Sequence, residues 1–127
     1  VIAVDTSALM AVLLDEPDAA RCIDALAEAG RLLISAGTVA ETLIVAARRG
    51  RGPAMARLLE GLGFETISVT PAAARRIAAA YERWGKGVHP AGLNFGDCFA
   101  YEVAKEHDAS LLYVGEDFAR TDLQSVL

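Results

Sequence analysis

Val1-Ile2-Ala3-Val4-Asp5-Thr6-Ser7-Ala8 opens the chain, and its reading decides the fold. A short apolar, β-branched run ends on an acid, and helix-capping residues follow at once. The run reads as a buried strand, and Thr6 to Pro17 as a short helix with Ser/Thr capping, stopped by the proline. The same handover recurs along the chain. Leu32–Ser35 reads as a second strand before a helix over about 38–49, and 64–69 as a third strand. Leu111–Val114 reads as a fourth, followed by the loop Gly115-Glu116-Asp117.

Between these strands lie further helical patterns. One covers roughly 17–29 and ends at Gly30. Gly50 and Gly52 break the helix after 49, and Pro53 suits the first turn of the next, which runs to Gly63. Thr70-Pro71 starts a long helix that Gly85 ends, and another spans about 96–107. Residues 85–94, GKGVHPAGLN, are the one extended irregular stretch. Strands alternating with helices predict a single α/β domain over 1–127. Its central sheet is mostly parallel, with four or five strands and helices on both faces.

Composition narrows the class. Hydrophobic residues make up 54% of the 127, which argues against disorder. No apolar run approaches the ~20 residues of a membrane span. Asp5 interrupts the amino-terminal run and no basic region precedes it, unlike a signal sequence. The expectation is a soluble cytoplasmic protein. Cys22 and Cys98 belong to no CxxC motif and read as reduced core residues, while His89 and His107 complete no zinc signature. A net charge of −5 argues against sequence-blind adhesion to nucleic acid. Charge is uneven, however: Asp97, Glu102, Glu106, Asp108, Glu116, Asp117 and Asp122 crowd one region, and Arg48, Arg49 and Arg51 another.

Four acids stand where strands end or helices begin: Asp5, Glu41, Asp97 and Asp117. Each has a plain reading alone. Asp5 caps the following helix, Asp97 complements a helix amino end, and Asp117 is a loop aspartate. Thr38 and Glu41 fit the capping box Thr-x-x-Glu. Together they mean more, because strand carboxyl ends and helix amino ends share one edge of a parallel sheet, where ligands bind. Each pair of carboxylates about 5 Å apart repels by roughly 3 kcal/mol at an effective dielectric near 20. The sum over such a cluster rivals a domain's stability of ~5–15 kcal/mol. A divalent cation relieves it at neutral pH, and oxygen-only ligation selects Mg²⁺, with Mn²⁺ as substitute, over zinc. Such a metal activates water and neutralises a phosphoryl oxygen. Ser7 and Ser35 have no recognisable histidine partner, so a nucleophilic triad is set aside.

VIAVDTSA, the Glu41 helix, LNFGDCFAYEVAKE and LLYVGEDFARTDL together resemble the PIN-domain ribonucleases, in particular the VapC-type toxins of bacterial toxin–antitoxin pairs. The likeness spans the whole chain and implies a PIN-like, Rossmann-related fold. It also implies metal-dependent endonucleolytic hydrolysis of RNA, leaving 5′-phosphate and 3′-hydroxyl ends. Asp5 and Asp97 then correspond to the main metal ligands. Glu41 and Asp117 ligate through water or a second ion, and Thr6 or Asn94 positions water or phosphate. Many relatives carry Thr-x-Asp after the last strand, where this chain has Tyr113-Val114-Gly115, so Glu116, Asp117 and Asp122 all remain candidates for the fourth acid. The resemblance further implies a homodimer and a VapB-like antitoxin.

Placement suggests that Arg48, Arg49 and Arg51 guide the RNA backbone, with Lys86 and His89 helping from a flexible irregular segment. Trp84 and Phe95 suit core or dimer packing, with base stacking as the alternative. Met55, Leu58, Leu59 and Leu62 form one apolar helical stripe, suited to packing on the sheet or to an antitoxin groove. Two rivals stand beside this reading. One is a non-catalytic Rossmann-like binding module that uses the acids only as caps. The other is a phosphatase or receiver, which wants acids where Ser7 or Thr70 stands. No GxxxxGK[ST] loop is present, which excludes a P-loop ATPase.

Overall fold

The computed structural model describes residues 1–127. Four parallel strands form one sheet: β1 (Ile2–Val4), β2 (Leu32–Ser35), β3 (Glu65–Ile67) and β4 (Ser110–Leu112), in the order β3-β2-β1-β4. Ala3 pairs with Leu33 on one side and Leu111 on the other, so β1 lies in the middle. A single bridge, Leu111 to Ser125, brings the carboxyl-terminal segment beside β4 without making a fifth strand. Six helices connect the strands: α1 (Thr6–Leu13), α2 (Ala19–Glu28), α3 (Ala36–Arg48), α4 (Gly52–Leu62), α5 (Pro71–Trp84) and α6 (Phe95–Glu106).

Side chains alternate across the sheet as strand geometry requires. Ala3, Leu33 and Leu111 join a core with Ile77, Trp84 and Val103 from α5 and α6. Val4, Leu32, Ile34 and Leu112 face the opposite way, into a core with Leu9, Leu26 and Met55 from α1, α2 and α4. The expected three-layer arrangement is therefore present. Cys22 and Cys98 lie in opposite cores, both buried and free. Met55 is fully buried, while Leu58, Leu59 and Leu62 of its stripe are half-buried against the same core. No helix is long and apolar enough to cross a membrane.

Two expectations need correction. The box Thr38-x-x-Glu41 does not cap α3. Ser35, the last residue of β2, does, accepting from the Gly37 amide at 3.1 Å. The strand feeds directly into the helix, so the hydroxyl at its end reaches the orphan donors first. Thr38 then falls inside α3 with its buried hydroxyl unpartnered, and Glu41 is released from capping. Nor is the 85–94 segment loose. Lys86 N donates to Leu93 O, Leu93 N to Trp84 O, and the Arg120 guanidinium to Pro90 O, which tie it down at both ends.

The strand order decides where a site can form. The chain leaves β1 for β2 and β3, then returns to β4 on the other side of β1. That reversal opens a crevice at the carboxyl ends of β1 and β4. Asp5 follows β1 at that point, and its amide donates to Leu112 O of β4 at 3.0 Å.

Candidate metal centre at the carboxyl edge of the sheet

Asp5 is 3% exposed, and one of its oxygens is fully engaged. Asp5 Oδ2 accepts from Ser7 N at 3.0 Å and from Ser7 Oγ at 2.6 Å, capping α1. Val114 N, just beyond β4, donates to Ser7 Oγ at 3.0 Å, so the serine fastens the carboxylate that ends β1 to the end of β4. Asp5 Oδ1 is buried without any partner. An orphan carboxylate oxygen in the interior costs desolvation that nothing in the chain returns.

The same division recurs at the neighbouring acids. Asp97 Oδ2 accepts from Asn94 N at 3.0 Å, while Asn94 Oδ1 accepts from Asp97 N at 2.8 Å, a complete capping box for α6. Glu41 Oε1 accepts from Thr6 Oγ1 at 2.6 Å, and Thr6 Oγ1 also lies 2.9 Å from Thr42 Oγ1. The plain readings of Asp5 and Asp97 are thus correct, and they do not compete with a site. In each residue one oxygen is held by the fold, and the other accepts no hydrogen bond.

Glycines let these groups approach. A Cβ on Gly96 of α6 would collide with the Glu41 carboxylate, and a Cβ on Gly37 of α3 would collide with the Phe99 ring. Each helix therefore receives the other's side chain where it has none of its own. Replacing Gly96 with alanine is expected to push the flexible Glu41 side chain aside at little cost in stability, since alanine favours helix by ~0.5–1 kcal/mol. Misplacing that carboxylate by about 1 Å is expected to lower turnover by roughly 10²-fold. Catalytic rate measured beside thermal unfolding checks both halves.

Electrostatics draws the set together. Burial raises the Asp5 carboxyl to about 6, opposed by the Ser7 hydrogen bonds and reinforced by Glu41. Asp97 is raised to about 7, first by burial and then, against its bond to Asn94 N, by the charges of Asp5, Asp117 and Glu41. Asp97 thus feels the charges of the other three acids, and Asp5 feels that of Glu41. The ion pairs of the molecule join Arg21, Arg31, Arg76, Arg83 and Lys105 to other acids, and none reaches these four. Among the loop candidates, Asp122 is engaged elsewhere, accepting from Tyr101 Oη at 2.7 Å and pairing with Lys105 at 3.1 Å. Glu116 and Asp117 are exposed, and Asp117 is the loop acid whose charge reaches Asp97.

Orphaned hard oxygens, mutual repulsion and the lack of a neighbouring cation fit a divalent metal. No group of three or more Asp, Glu, His or Cys side chains closes into an ion cage by itself. Mg²⁺ characteristically retains several waters and takes only one or two carboxylates.

The other expected contacts divide. Arg48 shares a cleft with Glu41, and Arg49 and Arg51 are exposed just beyond it. Lys86 is exposed and has no bond to the four acids. His89 packs edge-on against Trp84 at 4.7 Å, and its Nδ1 accepts from Ala91 N at 3.0 Å, so it shapes the 85–94 turn. Asn94 uses its side-chain oxygen as a cap. Trp84 is a core residue whose indole N–H donates to Tyr101 Oη at 2.9 Å, whereas Phe95 is 71% exposed. Sequence reasoning overlooked Ser7 as the anchor of Asp5, Thr42, and the glycines at 37 and 96. A hydroxyl two residues after a strand-terminal aspartate, and glycine inside a helical pattern, were the available signals.

Comparison with known proteins places the chain in a family and agrees with its fold. The PIN domain family model matches residues 2–123. Ribonuclease VapC28 of Mycobacterium tuberculosis is 44% identical over 129 residues, covering 98% of this chain and 96% of the relative. The crystal structure of M. tuberculosis VapC20, described as a Sarcin-Ricin loop cleaving toxin, superposes with a TM-score of 0.82 at 17% identity, covering 99% of this chain and 98% of that one. A toxin–antitoxin complex from Klebsiella pneumoniae gives 0.72 at 20% identity, covering 96% and 93%.

Proposed function

Because this chain belongs to the PIN-domain family, with VapC ribonucleases among its full-length relatives, we propose that it is a ribonuclease toxin. It hydrolyses RNA phosphodiester bonds and is neutralised by a VapB-type antitoxin. The observation that carries the reading is the buried, unpartnered Asp5 Oδ1 among carboxylates that no basic side chain neutralises.

Asp5 and Asp97 would hold a Mg²⁺ ion, with Mn²⁺ as substitute, and Glu41 and Asp117 would complete its surroundings through water or a second ion. The ion supplies an activated water and charge neutralisation at the phosphoryl group. The chain's own residues do the positioning. Ser7 fixes the Asp5 carboxylate against β4, Thr6 orients Glu41, and the Asn94 backbone holds Asp97 at the first turn of α6. No serine or histidine acts as nucleophile in this scheme, and endonucleolytic cutting leaves 5′-phosphate and 3′-hydroxyl ends.

Arg48, Arg49 and Arg51 form no ion pair within the chain, which leaves them available to phosphates. Replacing all three by alanine is expected to weaken RNA binding and flatten its salt dependence by up to about three phosphate contacts' worth. Metal binding should not change. Equal cleavage by the two proteins across a salt series would remove the arginines from the account.

A homodimer is part of the same proposal. An apolar depression lined by Val69, Ile77 and Tyr81 lies beside α5, and sedimentation at several concentrations tests it. A cytoplasmic location follows from a cellular RNA target. The experiment that decides the function maps cuts in total cellular RNA by wild type and Asp97→Ala, first with Mg²⁺ and then with EDTA. Cuts that need both Asp97 and the metal support the proposal, and cuts that survive either removal refute it.

A further inference from the structure

Beside Glu41 a cleft of about 390 Å³ opens between α3 and the amino-terminal turn of α6. Glu41, Ile44 and Arg48 line it from α3, and Phe95, Gly96 and Phe99 from α6. Glu41 and Arg48 lie seven residues apart on one face of α3, a rise of about 10 Å. The cleft therefore begins at a carboxylate of the metal centre and ends at a guanidinium without an acidic partner. Its wall is aromatic. Phe95 is 71% exposed, an unusual state for that side chain, and stands edge-to-face on Phe99 at 4.9 Å. Phe99 in turn rests on the bare Cα of Gly37, so the ring beneath Phe95 is fixed from below.

The geometry points to this cleft as the subsite for the nucleotide next to the scissile phosphate, with its base stacked on Phe95 and its outer phosphate on Arg48. The inference rests on the reading of this chain as acting on RNA. It adds the residues that would choose where along a single strand the cut falls. A stacked aromatic ring with a cation one or two nucleotides from a cluster of acids matches an unpaired RNA strand: an apolar face for the base, positive charge for the backbone. A paired base keeps its faces covered, so the cleft selects single-stranded RNA. Because every base has a π face, Phe95 alone sets position more than identity.

The test uses a short single-stranded RNA in which 2-aminopurine is moved one position at a time, bound to the protein without divalent ion. Fluorescence quenching at one position is expected for wild type and for Phe95→Trp. Phe95→Ala should abolish that quenching and weaken binding by roughly 5- to 100-fold, as expected for one stacked base. In the metal-supplemented reaction the same substitution should raise KM with little change in kcat. Arg48→Ala should weaken binding most at low salt. Phe95→Ala with wild-type RNA affinity and KM would overturn the subsite, even if cleavage still depends on Asp5. So would a loss of self-association by Phe95→Ala with RNA affinity unchanged, which would assign the ring to a contact between two copies of the chain. Position-specific quenching without any metal-dependent cleavage would instead uphold base stacking on Phe95, remove its place beside a scissile phosphate and defeat the nuclease reading.

Discussion

Asp5→Asn is expected to lower RNA cleavage by ~10³-fold or more while leaving the metal-free chain at least as stable as wild type near pH 8. The two halves have one cause. Asp5 is buried, and its charge is opposed by burial and by Glu41, with the Ser7 donors and the Thr6 backbone in its favour. Asparagine keeps an oxygen for Ser7 N and Ser7 Oγ, so the cap of α1 survives. It removes the interior charge and leaves an unpartnered amide N–H₂ in place of Oδ1, at a cost of about 1–3 kcal/mol. An ordinary core substitution that removes a buried group's partners destabilises. A gain, or no loss, in melting temperature together with abolished cleavage distinguishes a residue kept for chemistry from one kept for folding. A large drop in melting temperature for Asp5→Asn would place Asp5 in the framework.

The second large effect is a pH dependence that an added divalent ion largely offsets. Asp5 is raised to about 6 and Asp97 to about 7 in the folded chain, above the ordinary aspartate value of 3.8. Between these limits the folded chain holds more protons than the unfolded one. These two groups therefore favour the folded state at low pH, and that contribution is lost as pH rises through about 6 to 7. Metal-free protein should melt higher near pH 5 than near pH 8, with a shallower slope in Asp5→Asn and Asp97→Asn. Metal ligands must be deprotonated, so Mn²⁺ binds better as pH rises. At ~100 times its Kd the ion stabilises by ~2.7 kcal/mol, several degrees for a chain of this length. The Mn²⁺-induced shift should accordingly be large near pH 8 and small near pH 5. A metal-independent melting curve at both pH values would mean that the carboxylates tolerate one another unaided.

What the sequence made legible was the periodicity of its elements and the acids at their ends. Val1–Val4 followed by Asp5 could be read because four apolar residues are too few for a buried helix, and an acid with two hydroxyls behind it marks a helix start. Parallel pairing followed from the alternation of strands and helices, and with it the shared edge. The details that fix the site are tertiary. Thr6 and Glu41 meet across 35 positions, and Ser7 and Val114 across 107, separations that no local pattern encodes. Ser35 and Thr38 are both acceptable caps by propensity, and only the tight exit from β2 chooses between them. Likewise, three acids after β4 are alike in sequence. Asp122 is set apart from the others by the Tyr101 hydroxyl and Lys105 of α6, which engage its carboxylate. The 85–94 segment reads as flexible from its glycines, yet its backbone closes on itself and on Arg120.

Free Mn²⁺ gives a strong paramagnetic resonance signal that bound ion loses, so titrating the protein into a fixed amount of Mn²⁺ near pH 8 interrogates the carboxylate cluster with no substrate present. Wild type should deplete the free signal with saturation, and Asp5→Asn should leave it nearly intact at the same concentrations. Equal depletion by the two proteins, or none by wild type, would contradict a metal centre built on Asp5.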